Sequence, residues 1–230
     1  MSIVTLTGHL GSMGTIAVRV ARELDYALAD RELLTEAAAA LGWPEDQVAA
    51  FDERTSGLGS RLTRLLRAFV ERAGMTNVDP MMSPGALEAV LGRTYGETAV
   101  ADMRPDDRQY IDTLRSVILE LAERGSVVIV GRGAQALLAE HPNAVHVRVA
   151  CDQDERIRRV AERDQMTAAA AGERVRDSDT QREAWHHKYF AIDYRSPYLY
   201  HLVVNSGKVS DALAAELIVA LSRKKAPRAG

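Results

Sequence analysis

Apolar positions along the chain fall into two alternating rhythms. Residues 3–6 form a run rich in β-branched side chains, after which Ala17, Val20, Ala21 and Leu24 recur at helical spacing. A strand followed by a helix over 15–25 is the prediction. A short strand is predicted at 26–29, then a helix over 31–41 ended by Gly42 and Pro44. Further on, Ile111, Leu114, Val117, Ile118, Leu121 and Ala122 mark a helix closed by Gly125. The continuous apolar run 127–130 reads as a strand buried on both faces. A strand over 145–149, a charged helix from Asp154 to about Arg163, a strand over 202–204 and a helix over 212–221 complete the pattern. The tail from Arg223 is expected to fray. Five short strands alternating with helices predict an α/β fold with a doubly wound parallel sheet.

Residues 43–110 break this rhythm. Leu62, Leu65, Leu66, Phe69 and Val70 make one helical apolar stripe, with Arg61, Arg64 and Arg67 on the other side, followed there by Glu71. The segment reads as a helical insertion within a single domain spanning 1–230, since no repeat or linker divides the chain. Residues 74–85, with two prolines and no periodicity, predict a loop. The arginine stripe either reaches a phosphorylated substrate or is a solvated face, and Glu71 favours the second.

Composition narrows the function classes. An apolar fraction of 47% with 27% charged residues fits a soluble globular chain. No apolar run approaches the ~20 residues of a membrane span, and the first strand begins where a signal peptide would lie. One cysteine, Cys151, excludes an internal disulfide and a cysteine-based zinc cage, so a cytoplasmic location is expected. A net charge of −3 argues against a general nucleic-acid binder. The chain is compatible with a homodimer. Of 29 basic residues, only Lys188, Lys208, Lys224 and Lys225 are lysines. Any cation reaching a phosphate from the first 187 residues must therefore be arginine, which binds phosphate as a bidentate fork.

The chemistry concentrates where the first strand meets the first helix. Residues 8–15 read Gly8-His9-Leu10-Gly11-Ser12-Met13-Gly14-Thr15. A glycine-bearing turn into a helix N-terminus is the usual cradle for phosphate, and the phosphate-loop pattern is GxxxxGK[ST]. Gly8 fits its first glycine and Thr15 its hydroxyl, but Met13 replaces the second glycine and Gly14 the lysine. The simpler alternative is a strand-to-helix turn with no ligand. Asp30 and Arg31 follow the second strand and are expected near this loop, although Asp30 also suits a helix N-cap. Arg132 stands between two glycines at a strand end. Arg156, Arg159 and Arg163 share a helix face, and Arg156, Arg158 and Arg159 with Asp154 and Glu155 also read as no more than a salt-bridged surface helix. Adjacent His186 and His187 point apart and make no metal site. Cys151, Trp43, Trp185 and the tyrosines of 189–200 read as packing, with Tyr198 or Tyr200 as candidates for lining a pocket. No GxSxG, HExxH, CxxC or Rossmann fingerprint is present.

Several pieces together resemble the cytidylate kinase-like family, a branch of the P-loop nucleoside monophosphate kinases. They are Asp30-Arg31-Glu32-Leu33-Leu34, Val130-Gly131-Arg132-Gly133-Ala134, His146-Val147-Arg148-Val149, Arg156-Ile157-Arg158-Arg159-Val160, Asp179-x-x-Arg182 and Tyr200-x-Leu-Val-Val-Asn205. The resemblance runs from about residue 2 to residue 220. It implies a P-loop NTPase-type three-layer fold with a five-stranded parallel sheet, a monophosphate-binding insertion at about 43–110 and a lid at about 156–185. It implies an ATP-dependent phosphotransferase using Mg2+, in which Gly8, Gly11, Ser12, Met13 and Gly14 form the ATP loop and Thr15 meets the metal. Asp30, Arg156 and Arg159 would serve catalysis, while Arg31, Arg132, Asp179 and Arg182 would bind the acceptor. Loss of the lysine is shared by the divergent branch this chain resembles. Met13 departs further, and its Cβ is expected to crowd a turn whose glycine allows positive φ. A compensating arginine, from the lid, is expected. The alternative is a P-loop protein that binds a nucleotide or phosphorylated ligand with weak or no transfer.

Overall fold

A computed structural model describes residues 2–30 and 105–225. The predicted helix at 31–41, most of the insertion, the arginine stripe 61–67 and Arg31 lie outside the described residues. So does the tail beyond Lys225.

Strand β1 (Ile3–Gly8) leads into helix α1 (Ile16–Leu24), and β2 (Ala27–Ala29) follows. After the undescribed segment come α2 (Pro105–Arg124), β3 (Val127–Val130), α3 (Ala134–Leu137) and β4 (Ala144–Ala150). Helices α4 (Gln153–Asp164) and α5 (Ala168–Phe190), strand β5 (Leu202–Asn205) and helix α6 (Asp211–Lys225) close the described chain. The sheet has five parallel strands in the order β2-β3-β1-β4-β5. All its C-terminal strand ends therefore share one edge, where ligands bind in open α/β sheets. The fold is the expected α/β arrangement, and no helix among the described residues is long and apolar enough to cross a membrane.

Alternation along the strands divides the core into two faces. On one, Ile3, Val127, Ile129 and Ala144 pack against Leu114 and Ile118 of α2 and Phe190 of α5. On the other, Val4, Leu6, Val128, Val145 and Val147 pack against Ile16 and Val20 of α1 and Ala214 and Ile218 of α6. Each fully buried Leu, Ile or Val contributes about 1.5–3 kcal/mol relative to exposure. Central β1, covered on both faces, is the natural anchor for the loop that follows it.

Several boundaries differ from the sequence expectations for physical reasons. Residues 105–110 are helical and continuous with α2, which is described over Pro105–Arg124. Helix α6 runs through Arg223 to Lys225 instead of fraying, its last turn carrying basic residues that suit a helix C-terminus. The long helix α5 had no defined bounds in the hydrophobic pattern. Its start is capped by Thr167, whose side chain accepts from the Ala170 N–H, and it ends with Ala191 in the left-handed region.

Candidate functional site

The β1–α1 loop is shaped by its own polar groups. The Ser12 hydroxyl donates to the His9 carbonyl at 2.9 Å and accepts from the His9 N–H at 2.9 Å. Ser12 is fully buried, and its carbonyl accepts from the Ser206 hydroxyl at 2.7 Å. Its side chain therefore ties the loop rather than facing outward. Left-handed conformations fall at Gly11 (φ 81°) and Gly14 (φ 50°), where a missing Cβ relieves the strain. Met13 is not in that region, so the crowding expected of it does not arise. Its side chain packs, partly buried, against the cluster formed by α1, α6 and the sheet. Gly8 is closely packed as well: a Cβ there would lie 2.5 Å from the Ser12 hydroxyl.

Gly11, Met13, Gly14 and Thr15 line one side of a cavity of about 560 Å³. Arg159, Val160 and Arg163 of α4 and Asp211 of α6 line the rest. Such a volume falls within the range of small-molecule sites. The Arg159 guanidinium is aimed by three contacts: Nε to Glu155 at 2.8 Å, Nη2 to the Ser206 carbonyl at 2.7 Å and Nη1 to the Ser206 hydroxyl at 3.3 Å. Arg163 pairs with neighbouring Asp164, and this hydrogen bond pushes its pKa above the usual arginine value. The carboxylate of Asp211 stands directly over the loop. It accepts from the Thr15 N–H at 2.7 Å and from the Thr15 hydroxyl at 2.9 Å. The Arg19 guanidinium in turn donates to the same hydroxyl oxygen at 2.9 Å.

The other sequence-predicted residues among those described do not line this cavity. Arg156 and Asp179 meet in a two-pronged ion pair at 2.9 and 2.7 Å, with the arginine 5% exposed. Arg156 also reaches toward the Leu10 carbonyl, at 3.5 Å, and its backbone presses on Gly11, where a Cβ would lie 2.8 Å from the Arg156 carbonyl. Asp179 thus pairs with Arg156, one helix away, and the Arg182 carbonyl accepts from His186 Nδ1 at 2.8 Å. Arg132, buried at the end of β3, is held left-handed (φ 54°) between left-handed Gly131 and Gly133. Asp30 ends β2 at the same sheet edge, but β3 stands between it and β1. At the usual strand spacing that separates it from the loop by about 10 Å.

A second polar cluster joins the loop to α5. The Tyr194 hydroxyl lies 2.9 Å from His9 Nε2, and the Tyr194 ring stacks on His186 with centroids 4.4 Å apart. Burial lowers the pKa of His9 and of His186 to about 4, so both rings are neutral at pH 7. Tyr200 donates to the Tyr194 carbonyl at 2.5 Å, whereas Tyr198 is 96% exposed. His187 points to solvent, away from buried His186. Cys151 is half-buried just beyond β4. Three contributors are not among the sequence expectations: Asp211, Arg163 as a lining group, and the His9–Tyr194 contact. Only Arg163 had a local signal, its place on the arginine face of α4.

A five-stranded parallel sheet with a glycine-shaped loop between β1 and α1, facing arginines of a following helix, defines the P-loop kinase type of α/β protein. Residues 3–208 match the cytidylate kinase-like family, and the chain belongs to that family. Among solved structures, an uncharacterized protein from Eubacterium ventriosum ATCC 27560 is similar with a TM-score of 0.63 and 19% identity, covering 97% of this chain and 99% of that one. A shikimate kinase from Bacteroides thetaiotaomicron matches with a TM-score of 0.43 and 16% identity over 97% of each chain. A gluconokinase from Sinorhizobium meliloti 1021 gives 0.44 and 12%, over 97% of this chain and 91% of that one. No curated protein matches.

Proposed function

We propose that this protein is an ATP-dependent phosphotransferase that moves a phosphoryl group from ATP to a nucleoside monophosphate or related small acceptor. The observation that carries this reading is the cradle of residues 11–15 at the α1 N-terminus, opposed by Arg159 and Arg163 across one cavity. Backbone N–H groups and a helix N-terminus favour phosphate oxygens. The donor set also fits a magnesium nucleotide: Gly11 and Gly14 leave the loop backbone without side chains toward the cavity, and Thr15 presents a hydroxyl oxygen. Thr15 would hold the metal, which neutralises phosphate charge when bound. Phosphoryl transfer needs positioning and positive charge more than covalent help. Arg159, fixed by Ser206 and Glu155, supplies that charge where the loop has no lysine. Arg31, Arg132, Asp179 and Arg182 form the acceptor side in this reading, with Asp30 at the same edge.

A second reading, binding without efficient transfer, is favoured by the engagement of Arg156 with Asp179. Thermal unfolding with ATP, CMP and other nucleotides, with and without magnesium, followed by a phosphotransfer assay across acceptors, separates the two. Stabilisation with transfer supports the kinase reading; stabilisation without transfer to any acceptor leaves the binder. Neither effect would overturn both.

A further inference from the structure

Helix α1 has no acidic residue in its first turn, yet a carboxylate sits at its N-terminus. Asp211 comes from the start of α6, 196 positions away, and takes both the N–H and the hydroxyl of Thr15. A Cβ on Gly14 would lie 2.3 Å from Asp211 Oδ2 and 2.9 Å from Cγ, so the carboxylate fills the space a longer residue at position 14 would need. We infer that Asp211 is a specificity-determining residue of the donor site: it occupies the anion seat of the loop and excludes polyphosphate that arrives without a divalent cation. This rests on the donor-site reading above.

The argument is electrostatic and steric. The N–H groups that attract phosphate at a helix N-terminus attract a carboxylate for the same reason, so the two anions compete for one seat. The backbone of Asp211 cannot retreat readily, because Ala214, Ala215 and Ile218, one to two turns along α6, are buried against α1 and the sheet. Loading must therefore turn the side chain aside or place a cation between carboxylate and phosphate. Magnesium suits the second route, since it binds through one or two carboxylates together with phosphate oxygens.

The test uses the full chain with Asp211→Asn and Asp211→Ala, and inorganic tripolyphosphate and ATP as probes. Helix α6 keeps its cap in both variants, because the Leu213 N–H donates to the Ser210 hydroxyl; circular dichroism and thermal unfolding verify the fold. By titration calorimetry in metal-free buffer, both variants should bind the probes at least tenfold more tightly than the unaltered protein. Adding magnesium should narrow that gap. A gap that is absent, reversed or unchanged by magnesium overturns the assignment while leaving the donor site standing. If no protein binds either probe in either buffer, the donor-site reading falls together with it.

Discussion

Arg156 and Asp179 are joined by a two-pronged ion pair, at 2.9 and 2.7 Å, that fastens α4 to α5 beside the phosphate loop. The arginine side chain is 6% exposed and the aspartate 26%. Removing one partner of such a pair leaves a charge with little water to solvate it. Asp179→Asn should lower stability by about 3 kcal/mol, the scale of a broken buried pair. Urea unfolding of the variant measures this.

Arg159 offers a sharper test of catalysis. If its guanidinium stabilises the transferring phosphoryl group, Arg159→Ala should reduce kcat by roughly a hundred- to a thousandfold. Arg159→Lys should recover little, because the bond to the Ser206 carbonyl and the pairing with Glu155 use different edges of the fork. Single-turnover kinetics at saturating nucleotide would report the change.

Arg132 should separate acceptor from donor. Its left-handed backbone is one that glycine adopts without strain, so Arg132→Gly leaves the turn between Gly131 and Gly133 intact. Loss of a charge-assisted hydrogen bond should raise KM for the acceptor roughly tenfold or more, with KM for ATP unchanged. Initial-rate kinetics varying each substrate in turn decides the point.

Restoring a lysine to the loop should fail. Gly14→Lys puts a Cβ against the Asp211 carboxylate and forces an L-residue to hold φ 50°. The left-handed strain alone costs about 1–2 kcal/mol. Thermal unfolding should show a lowered Tm, with no gain in transfer.

Two fully enclosed histidines predict acid sensitivity. Burial lowers the pKa of His146 and His186 from 6.5 to about 4. His146 is held neutral between the Thr5 hydroxyl at 2.8 Å and the Leu138 carbonyl at 3.1 Å. Between these pKa values the unfolded chain binds protons that the folded chain does not, so stability is full above about pH 6.5 and falls as the pH drops toward 4. Each ring accounts for about 3 kcal/mol across that window. Urea midpoints at pH 4.5, 5.5 and 7 should show the decline, and His186→Gln should make it shallower, with the share of His146 remaining.

The sheet was readable from its strands: Val127–Val130 is an unbroken apolar run, and the stretch through Val149 alternates valines with His146 and Arg148 at the two-residue period of a strand. Loop and first helix were equally plain, since glycines and helical spacing are local signals. Pairings between distant elements left no such trace. Asp211 looks like any acidic residue at a helix start, and only the packing of α6 on α1 carries it to Thr15. Arg156 and Arg159 share a helix face by spacing, yet one guanidinium turns to Asp179 and the other to Ser206. Met13 carries no left-handed strain because the loop places its positive φ values at Gly11 and Gly14.

The burial along α5 has a mechanical consequence. Its last two turns are pinned to the sheet by Tyr189 and Phe190, while its first turns share a small cluster of Val160, Ala171 and Val175 with α4. None of residues 176–185 between them is buried. The helix is thus clamped to the sheet at one end, and at the other it meets the arginine-bearing α4 through that cluster and the Arg156–Asp179 pair. Amides of α4 and of the first half of α5 should exchange with solvent deuterium sooner than those of β1 and β4, and as one group, because a small cluster and a few polar ties shield less backbone than a sheet covered on both faces.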